Sequence, residues 1–271
     1  MNDQNHSEEP FGTYAPAGNT CGLRLLTRLG LTHGKLTQIL LARWLKSHGP
    51  LVDAEVRGIK YRFNLSNNNT DTKILISSKV HDSPELAALQ TASRGKVFVD
   101  IGANTGYYTL ALLAGACKRV ISIEPNPPTL ARLRFNLAVN GHNERVTVIP
   151  EGVGPEGELL LYQTSGLGSA SFVPPDSNTP TLKVRTRSLL TMLQAEGLDT
   201  VGGMKIDVEG FEDQVLTPFF RDAPDHLLPQ CLVMEACHEE KWRNDLKLIL
   251  KNKGYTLVRQ TRSNLVFKRQ P

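Results

Sequence analysis

Residues Val97 to Thr109 read V-F-V-D-I-G-A-N-T-G-Y-Y-T, and 18 residues after Gly106 the run Arg119 to Ile123 (R-V-I-S-I) ends at Glu124, followed by P-N-P. This is the pattern of a buried strand, a glycine turn, a helix and a second strand closing on a carboxylate. Such a unit belongs to an open α/β sheet, in which ligands sit outside the carboxyl ends of the strands. A carboxylate at the end of the second strand is placed to take a ribose diol. On their own the glycines predict no more than a tight turn; Asp100 and Glu124 at this spacing turn the reading towards a nucleoside.

The order Asp100-Ile101-Gly102-Ala103-Asn104-Thr105-Gly106 lacks the G-x-G-x-x-G spacing with which backbone and helix N-terminus embrace a pyrophosphate. Asp100 would repel a pyrophosphate and suits a cationic ligand. S-Adenosylmethionine has that charge in its sulfonium and α-amino groups. Its ribose is expected on Glu124, with Gly102 and Gly106 giving room for close backbone approach. Asn104 lies in the same turn, and Glu151, after the third strand, is expected near the adenine by the switch-point rule.

The second chemical segment is Met204-Lys205-Ile206-Asp207-Val208-Glu209-Gly210-Phe211-Glu212, read as the end of the fourth strand and a glycine turn. It presents Asp207, Glu209 and Glu212 at the cofactor edge. Leu232 to His238 is the fifth strand, running out into His238. His238, Asp207 and Glu209 are the candidates for the base that an acceptor hydroxyl requires, His238 having the natural pKa for it. Each has another reading. His238 suits a structural hydrogen bond, Asp207 a bond to the cofactor's amino group, and Glu209 and Glu212 a place at the start of the next helix. Asp207, Glu209 and His238 could also hold a divalent ion, although three scattered ligands make a weak metal pattern.

Around these segments the chain predicts a polar, mobile stretch over 1–20, a helical and short-strand extension over 21–95, and a cofactor-binding domain over 96–271. Apolar residues from Leu25 to Trp44 recur at steps of three and four, giving two amphipathic helices that could cover a pocket or join a homodimer. Glu55 to Leu65 reads as short β structure about Gly58, and Lys73 to Ile76 as a further strand. A helix starts at Asp82-Ser83-Pro84-Glu85 with Ser83 as its cap. Pro127 to Asn140 is a helix, Arg145 to Pro150 the third strand and Leu159 to Tyr162 a strand. Ser165 to Ser171 is a connector or flap, Glu239 to Asn252 a helix, and Tyr255 to Arg259 pairs with Asn264 to Lys268 as a hairpin.

The 271 residues carry 31 basic and 27 acidic side chains, a net charge of +4. Without a basic arm this is not the profile of a nucleic-acid binder. The four cysteines, Cys21, Cys117, Cys231 and Cys237, show no C-x-x-C spacing and are read as reduced thiols. No apolar run reaches the ~20 residues of a membrane span, and the polar N-terminus is unlike a signal peptide, so the expected location is the cytoplasm.

The stretches D-I-G-A-N-T-G-Y-Y-T, I-E-P-N-P, F-N-L-A-V-N-G, R-S-L-L-T-M-L after V-R-T, K-I-D-V-E-G-F-E, M-E-A-C-H, N-K-G-Y and N-L-V-F make residues 97 to 268 resemble the FkbM family of S-adenosylmethionine-dependent methyltransferases. The resemblance implies an α/β fold of the class I methyltransferase, Rossmann-like kind: a mostly parallel seven-stranded sheet with helices on both faces and one antiparallel strand at the edge, here preceded by the N-terminal extension. It also implies O-methylation of a small metabolite or sugar, with a glycan, glycolipid or polyketide-type acceptor. Two alternatives stand beside it. An RNA methyltransferase acting on a base amine normally shows N-P-P-aromatic after the fourth strand, where this chain has Asp207-Val208-Glu209-Gly210. A non-catalytic S-adenosylmethionine-binding protein would share the fold alone.

Overall fold

Seven strands form the central sheet of the computed structural model, which describes residues 9–15, 43, 45–76, 80–115, 117–163, 169–175 and 178–270. In chain order the domain runs β3 (Val97–Ile101), α3 (Tyr107–Ala114), β4 (Arg119–Ile123), α4 (Pro127–Val139), β5 (Val146–Ile149), β9 (Val201–Ile206), α6 (Glu212–Asp222), β10 (Cys231–Glu235), α7 (Leu246–Asn252), β11 (Tyr255–Gln260) and β12 (Asn264–Arg269). Before it come β1 (Leu51–Val56), β2 (Ile59–Asn64), α1 (Asn69–Ile76) and α2 (Ser83–Ala92). Between β5 and β9 the chain makes β6 (Gly152–Val153), β7 (Gly157–Tyr162), β8 (Thr181–Arg187) and α5 (Leu189–Ala195).

The sheet order is β11-β12-β10-β9-β3-β4-β5. After β5 the chain returns to the other side of β3, so the order reverses between β3 and β9 and opens a crevice at their carboxyl ends. Register there pairs Asp100 with Lys205 and Ile101 with Ile206. The antiparallel strand is β12, one place in from the edge rather than at it, because the closing hairpin inserts β12 against β10.

Period-two alternation explains the two cores. Val97, Val99 and Ile101 face one way, with Met204, Ile206, Leu232 and Met234, onto Met192, Leu216, Phe219 and Leu250 of α5, α6 and α7. Phe98, Val120 and Val233 face the other way, onto Leu89, Leu110, Leu133 and Leu137 of α2, α3 and α4. Each such side chain contributes about 1.5–3 kcal/mol when fully buried. Asp100 falls on the Phe98 face and therefore beneath α3.

The β1–β2 hairpin turns at Arg57-Gly58, both at positive φ (54° and 78°), as a two-residue hairpin turn requires. Its β2 edge is covered by α4. Asn136 Oδ1 accepts from the Arg62 amide at 2.8 Å, and Asn140 Oδ1 from the Lys60 amide at 2.9 Å. Arg62 is buried and donates to both oxygens of Asp53 at 2.8 Å, with its guanidinium 3.9 Å from the Phe135 ring centre.

Several local expectations are corrected. Lys73–Ile76 belongs to helix α1, started by Asn68, whose Oδ1 accepts from the Thr70 amide at 3.0 Å; that cap outweighs the β-branched Ile74 and Ile76. Asp82 rather than Ser83 precedes α2, in a left-handed conformation (φ 48°), and its carboxylate accepts from Tyr108 Oη instead of capping. The helix read over Glu239 to Asn252 is a 3-10 turn at Glu239–Lys241 followed by α7, because Asp213 Oδ2 captures the Arg243 amide at 2.8 Å. The excursion strand read at Leu159 to Tyr162 is part of β7, in a small sheet ordered β6-β8-β7. Most of the two amphipathic helices, the dimer they suggested and most of the Ser165 to Ser171 loop lie outside the described residues; Arg43 and residues 45–48, at the end of the second, are helical. Cys117 and Cys231 are buried free thiols and Cys237 an exposed one. Among the described residues no helix is long and apolar enough to cross a membrane.

Candidate active site

The crevice at β3 and β9 opens into a cleft that reaches Asp100, Gly102, Asn104, Glu124, Asp207 and Glu209. On its cofactor side Asp100 is buried at the end of β3 and accepts from Thr109 Oγ1 at 2.6 Å. Burial pushes its carboxyl up to about 6, against the pull of Thr109 and Lys205. Gly102 (φ +73°) touches the neighbouring turn so closely that a Cβ would stand 1.9 Å from the Asp207 carbonyl oxygen. At Gly106 (φ +93°) a Cβ would meet Leu133 at 2.7 Å, so this glycine lets α3 pack on α4 and lies beneath the turn, outside the cleft wall.

Glu124 closes β4 and braces the turn. Its Oε2 accepts from the Asn104 amide and its Oε1 from the Asn126 amide, both at 2.9 Å. Burial raises it to about 7, although both amides favour the charged form. Each oxygen retains a lone pair for a diol. The N-terminal extension holds the turn from behind: Thr105 Oγ1 donates to Asp71 Oδ1 at 2.9 Å, Asp71 pairs with Arg132 at 2.8 Å, and Asn68 Nδ2 donates to Asn104 Oδ1 at 2.8 Å.

On the other side, Lys205 is buried and donates to Asp207 Oδ2 at 3.0 Å, with its ammonium 5.2 Å from the Tyr108 ring centre. Burial would lower the Lys205 pKa, but Asp207 and Glu235 outweigh it and the net direction is up. Glu209 stands at φ 56° in the turn after β9. Glu212 closes that turn, its Oε1 accepting from the Val208 and Gly210 amides at 3.0 and 3.3 Å and its Oε2 from Trp242. Oxygens of Asp207, Glu209 and Glu235 lie within 4.8 Å of one another. Burial first, then the neighbouring acids, push Glu209 up to about 7 and Glu235 up to about 9. Three acids alone define no ion site, and Lys205 already supplies positive charge there.

A second groove adjoins the cleft and shares Thr70, His81, Asp82, Asn104, Asp207 and Glu209 with it. Its remaining wall is polar, including Asn67, Asn68, Asn69, Glu235, Ser263 and Asn264.

Asp100, Gly102, Asn104, Glu124, Asp207 and Glu209 therefore converge on one cavity. Three expected residues do not: Gly106, which lies beneath the turn, Glu151 and His238. Glu151 pairs with Arg187, and Val153 from the same segment lines the cleft in its place. His238 lies beyond the end of β10 and outside both cavity walls, its Nε2 3.4 Å from Glu209 Oε2 and its Nδ1 3.5 Å from Glu240. Sequence reasoning passed over Lys205 and Glu235. For Lys205 a signal existed, since alternation puts residues 205 and 207 on one face of β9.

The residues present fit a cationic nucleoside. Acids dominate the polar wall, Glu124 stands where a ribose belongs, and Ile123, Val153, Leu161 and Phe172 give an apolar surface for a base. Fold and crevice together define a class I, S-adenosylmethionine-dependent methyltransferase. Residues 100–257 match the methyltransferase FkbM domain, and the chain belongs to that family, whose methyl donor is S-adenosylmethionine. A tRNA U34 carboxymethyltransferase of Shewanella sp. (strain ANA-3) is 30% identical over 82 residues, 30% of this chain and 24% of that protein. Among solved structures, the complex of aTrm5 and tRNALeu is 12% identical with a TM-score of 0.44, over 82% of this chain and 53% of that one. M. jannaschii TYW2 in complex with AdoMet is 14% identical with a TM-score of 0.40, over 82% of this chain and 87% of that one. The chain thus spans about a quarter of the curated relatives it matches. The two structural likenesses are too distant to assign a substrate.

Proposed function

We propose that the chain transfers the methyl group of S-adenosylmethionine to a hydroxyl oxygen of a small metabolite or sugar, such as a glycan, glycolipid or polyketide-type acceptor. The observation that carries this reading is the polar groove. Its amide and hydroxyl wall is suited to hydrogen-bonding a polyhydroxylated molecule, and it meets the cofactor cleft at Asp207 and Glu209. The methyl donor, when bound, supplies an electrophilic carbon on a positively charged sulfur. The protein's part is to hold the acceptor oxygen ~3 Å away and in line, and to take its proton. In this reading Asp207, fixed by Lys205, orients the acceptor or the cofactor's amino group. Glu209 faces the junction of the two cavities with His238 behind it, so any catalytic part of His238 passes through Glu209. Asp100, Gly102, Asn104 and Glu124 form the cofactor half; Gly106 shapes the turn.

A second reading, methyl transfer to tRNA, draws on the 82-residue match. The groove opposes it electrostatically, since Asp82, Asp207, Glu209 and Glu235 face a lone lysine, Lys73, among its lining residues. A phosphate backbone needs the reverse balance. Incubation with methyl-labelled S-adenosylmethionine and a panel of methyl glycosides, hydroxylated lactones and unmodified tRNA separates the two. Label is expected as an alkali-stable ether on a hydroxyl acceptor; label on tRNA alone would overturn the proposal.

A further inference from the structure

We propose that Glu235 is the general base of the transfer, its carboxylate receiving the proton of the acceptor hydroxyl; this rests on the O-methyl reading above. Strand β10 ends at Glu235, and register pairs Met234 with Ile206, which sets Glu235 beside Asp207. The same residue lines the polar groove, on the side where it joins the cofactor cleft.

The other carboxylates of the crevice have partners. Asp100 is held by Thr109, Glu124 by two amides, Asp207 by Lys205, Glu209 by His238, and Glu212 by two amides and Trp242. Glu235 Oε2 is buried without a hydrogen-bond partner. Among the described residues the other carboxylate oxygen in that state is Glu85 Oε2, which lines neither cavity. A hydroxyl bound in the groove would give this carboxyl the donor that it lacks.

The groups facing Glu235 are Lys205 from β9, Asp207 and Glu209 from the following turn, Cys237 from its own segment, and Asn264 opposite it on β12. Burial and the two neighbouring acids hold its proton until positive charge enters the cleft, which favours the ionised form. That proton goes to solvent and leaves a carboxylate. In the transfer step the acceptor O–H bond breaks and its proton passes to the Glu235 carboxylate. The O–CH3 bond forms while the S–CH3 bond breaks, its electron pair returning to sulfur as the neutral thioether. Glu235 then returns the proton to water.

Calorimetry at pH 8 in phosphate and in Tris, two buffers of different ionisation heat, counts the protons released on binding. S-Adenosylmethionine is expected to release ~1 more proton than S-adenosylhomocysteine from the wild-type protein, and Glu235→Gln to abolish that difference while still binding both. With the methyl glycoside that the wild type methylates fastest, Glu235→Gln is expected to lose ~100-fold or more in kcat at unchanged KM. A wild-type proton count or a wild-type rate in Glu235→Gln would overturn the assignment. Intact cofactor binding with no transfer to any hydroxyl would instead sink the O-methyl reading itself.

Discussion

Buried charge is treated in opposite ways in two regions of this molecule. In the N-terminal extension, Asp53 meets Arg62 and Asp71 meets Arg132, each pair at 2.8 Å and almost wholly out of solvent. At the strand ends, Asp100, Asp207, Glu209 and Glu235 face the buried ammonium of Lys205, with Glu124 beyond them held by backbone amides. The first region balances its charges internally and serves architecture. The second leaves a deficit of positive charge; burial first, and then the neighbouring acids, raise several of its carboxyls, and a cationic ligand would favour their ionised forms.

The sharpest way to break this contrast is Asp71→Ala, which leaves the Arg132 guanidinium buried without its carboxylate. A loss of about 3–5 kcal/mol is expected in urea unfolding; a loss under ~1 kcal/mol would show that the pair is not structural. In the acidic region the effect moves from stability to binding. Replacing Asp100 or Glu124 by Ala is expected to weaken S-adenosylmethionine binding by about 1.5–3 kcal/mol each, read by calorimetry. Unchanged affinity in both would remove them from the cofactor site.

Titration sharpens the comparison further. Asp100 and Glu124 have folded-state values of about 6 and about 7, above their ordinary 3.8 and 4.5. The folded protein therefore keeps protons that the unfolded chain has released. Stability without ligand falls as pH climbs from about 4 to about 7, and the cost persists above that window. S-Adenosylmethionine affinity should rise over the same range, by at most about tenfold per pH unit for each group, and S-adenosylhomocysteine affinity less. A flat pH profile for both ligands would contradict this. The smallest effect belongs to the bridge between the regions. Thr105→Val cuts the hydroxyl bond to Asp71 and is expected to cost about 0.5–1.5 kcal/mol of stability, together with a measurable loss of cofactor affinity. A stability loss with no change in affinity would mean that the extension does not steady the turn.

The sheet was legible because β3 and β4 are short apolar runs closed by Asp100-Ile101-Gly102 and Glu124, where strand and turn chemistry agree. Lys73 to Ile76 was not, because its helix depends on a cap from Asn68, one asparagine among three in a row. The chemistry of the site was readable as residue types, whereas the place of Glu235 beside Asp207 was not. His238 drew attention through its intrinsic pKa, but β10 stops at Glu235 and the chain turns before reaching it. Glu235 read as an ordinary strand residue; its environment comes from β9 and the turn after it, roughly thirty residues earlier in the chain, and no local pattern records that approach.

Gly102 bears on how such a protein could be re-engineered. The Asp207 amide donates to the Ile101 carbonyl at 3.0 Å, and the Asp207 carbonyl presses against Gly102, so the turn after β3 and the turn after β9, proposed to meet donor and acceptor, are one mechanical piece. A library that varied residues 207–210 to change acceptor choice would disturb donor binding at the same time. Variation at Asn69 and Ser263, which line the groove and not the cleft, leaves that joint intact and is the better starting point for new specificity.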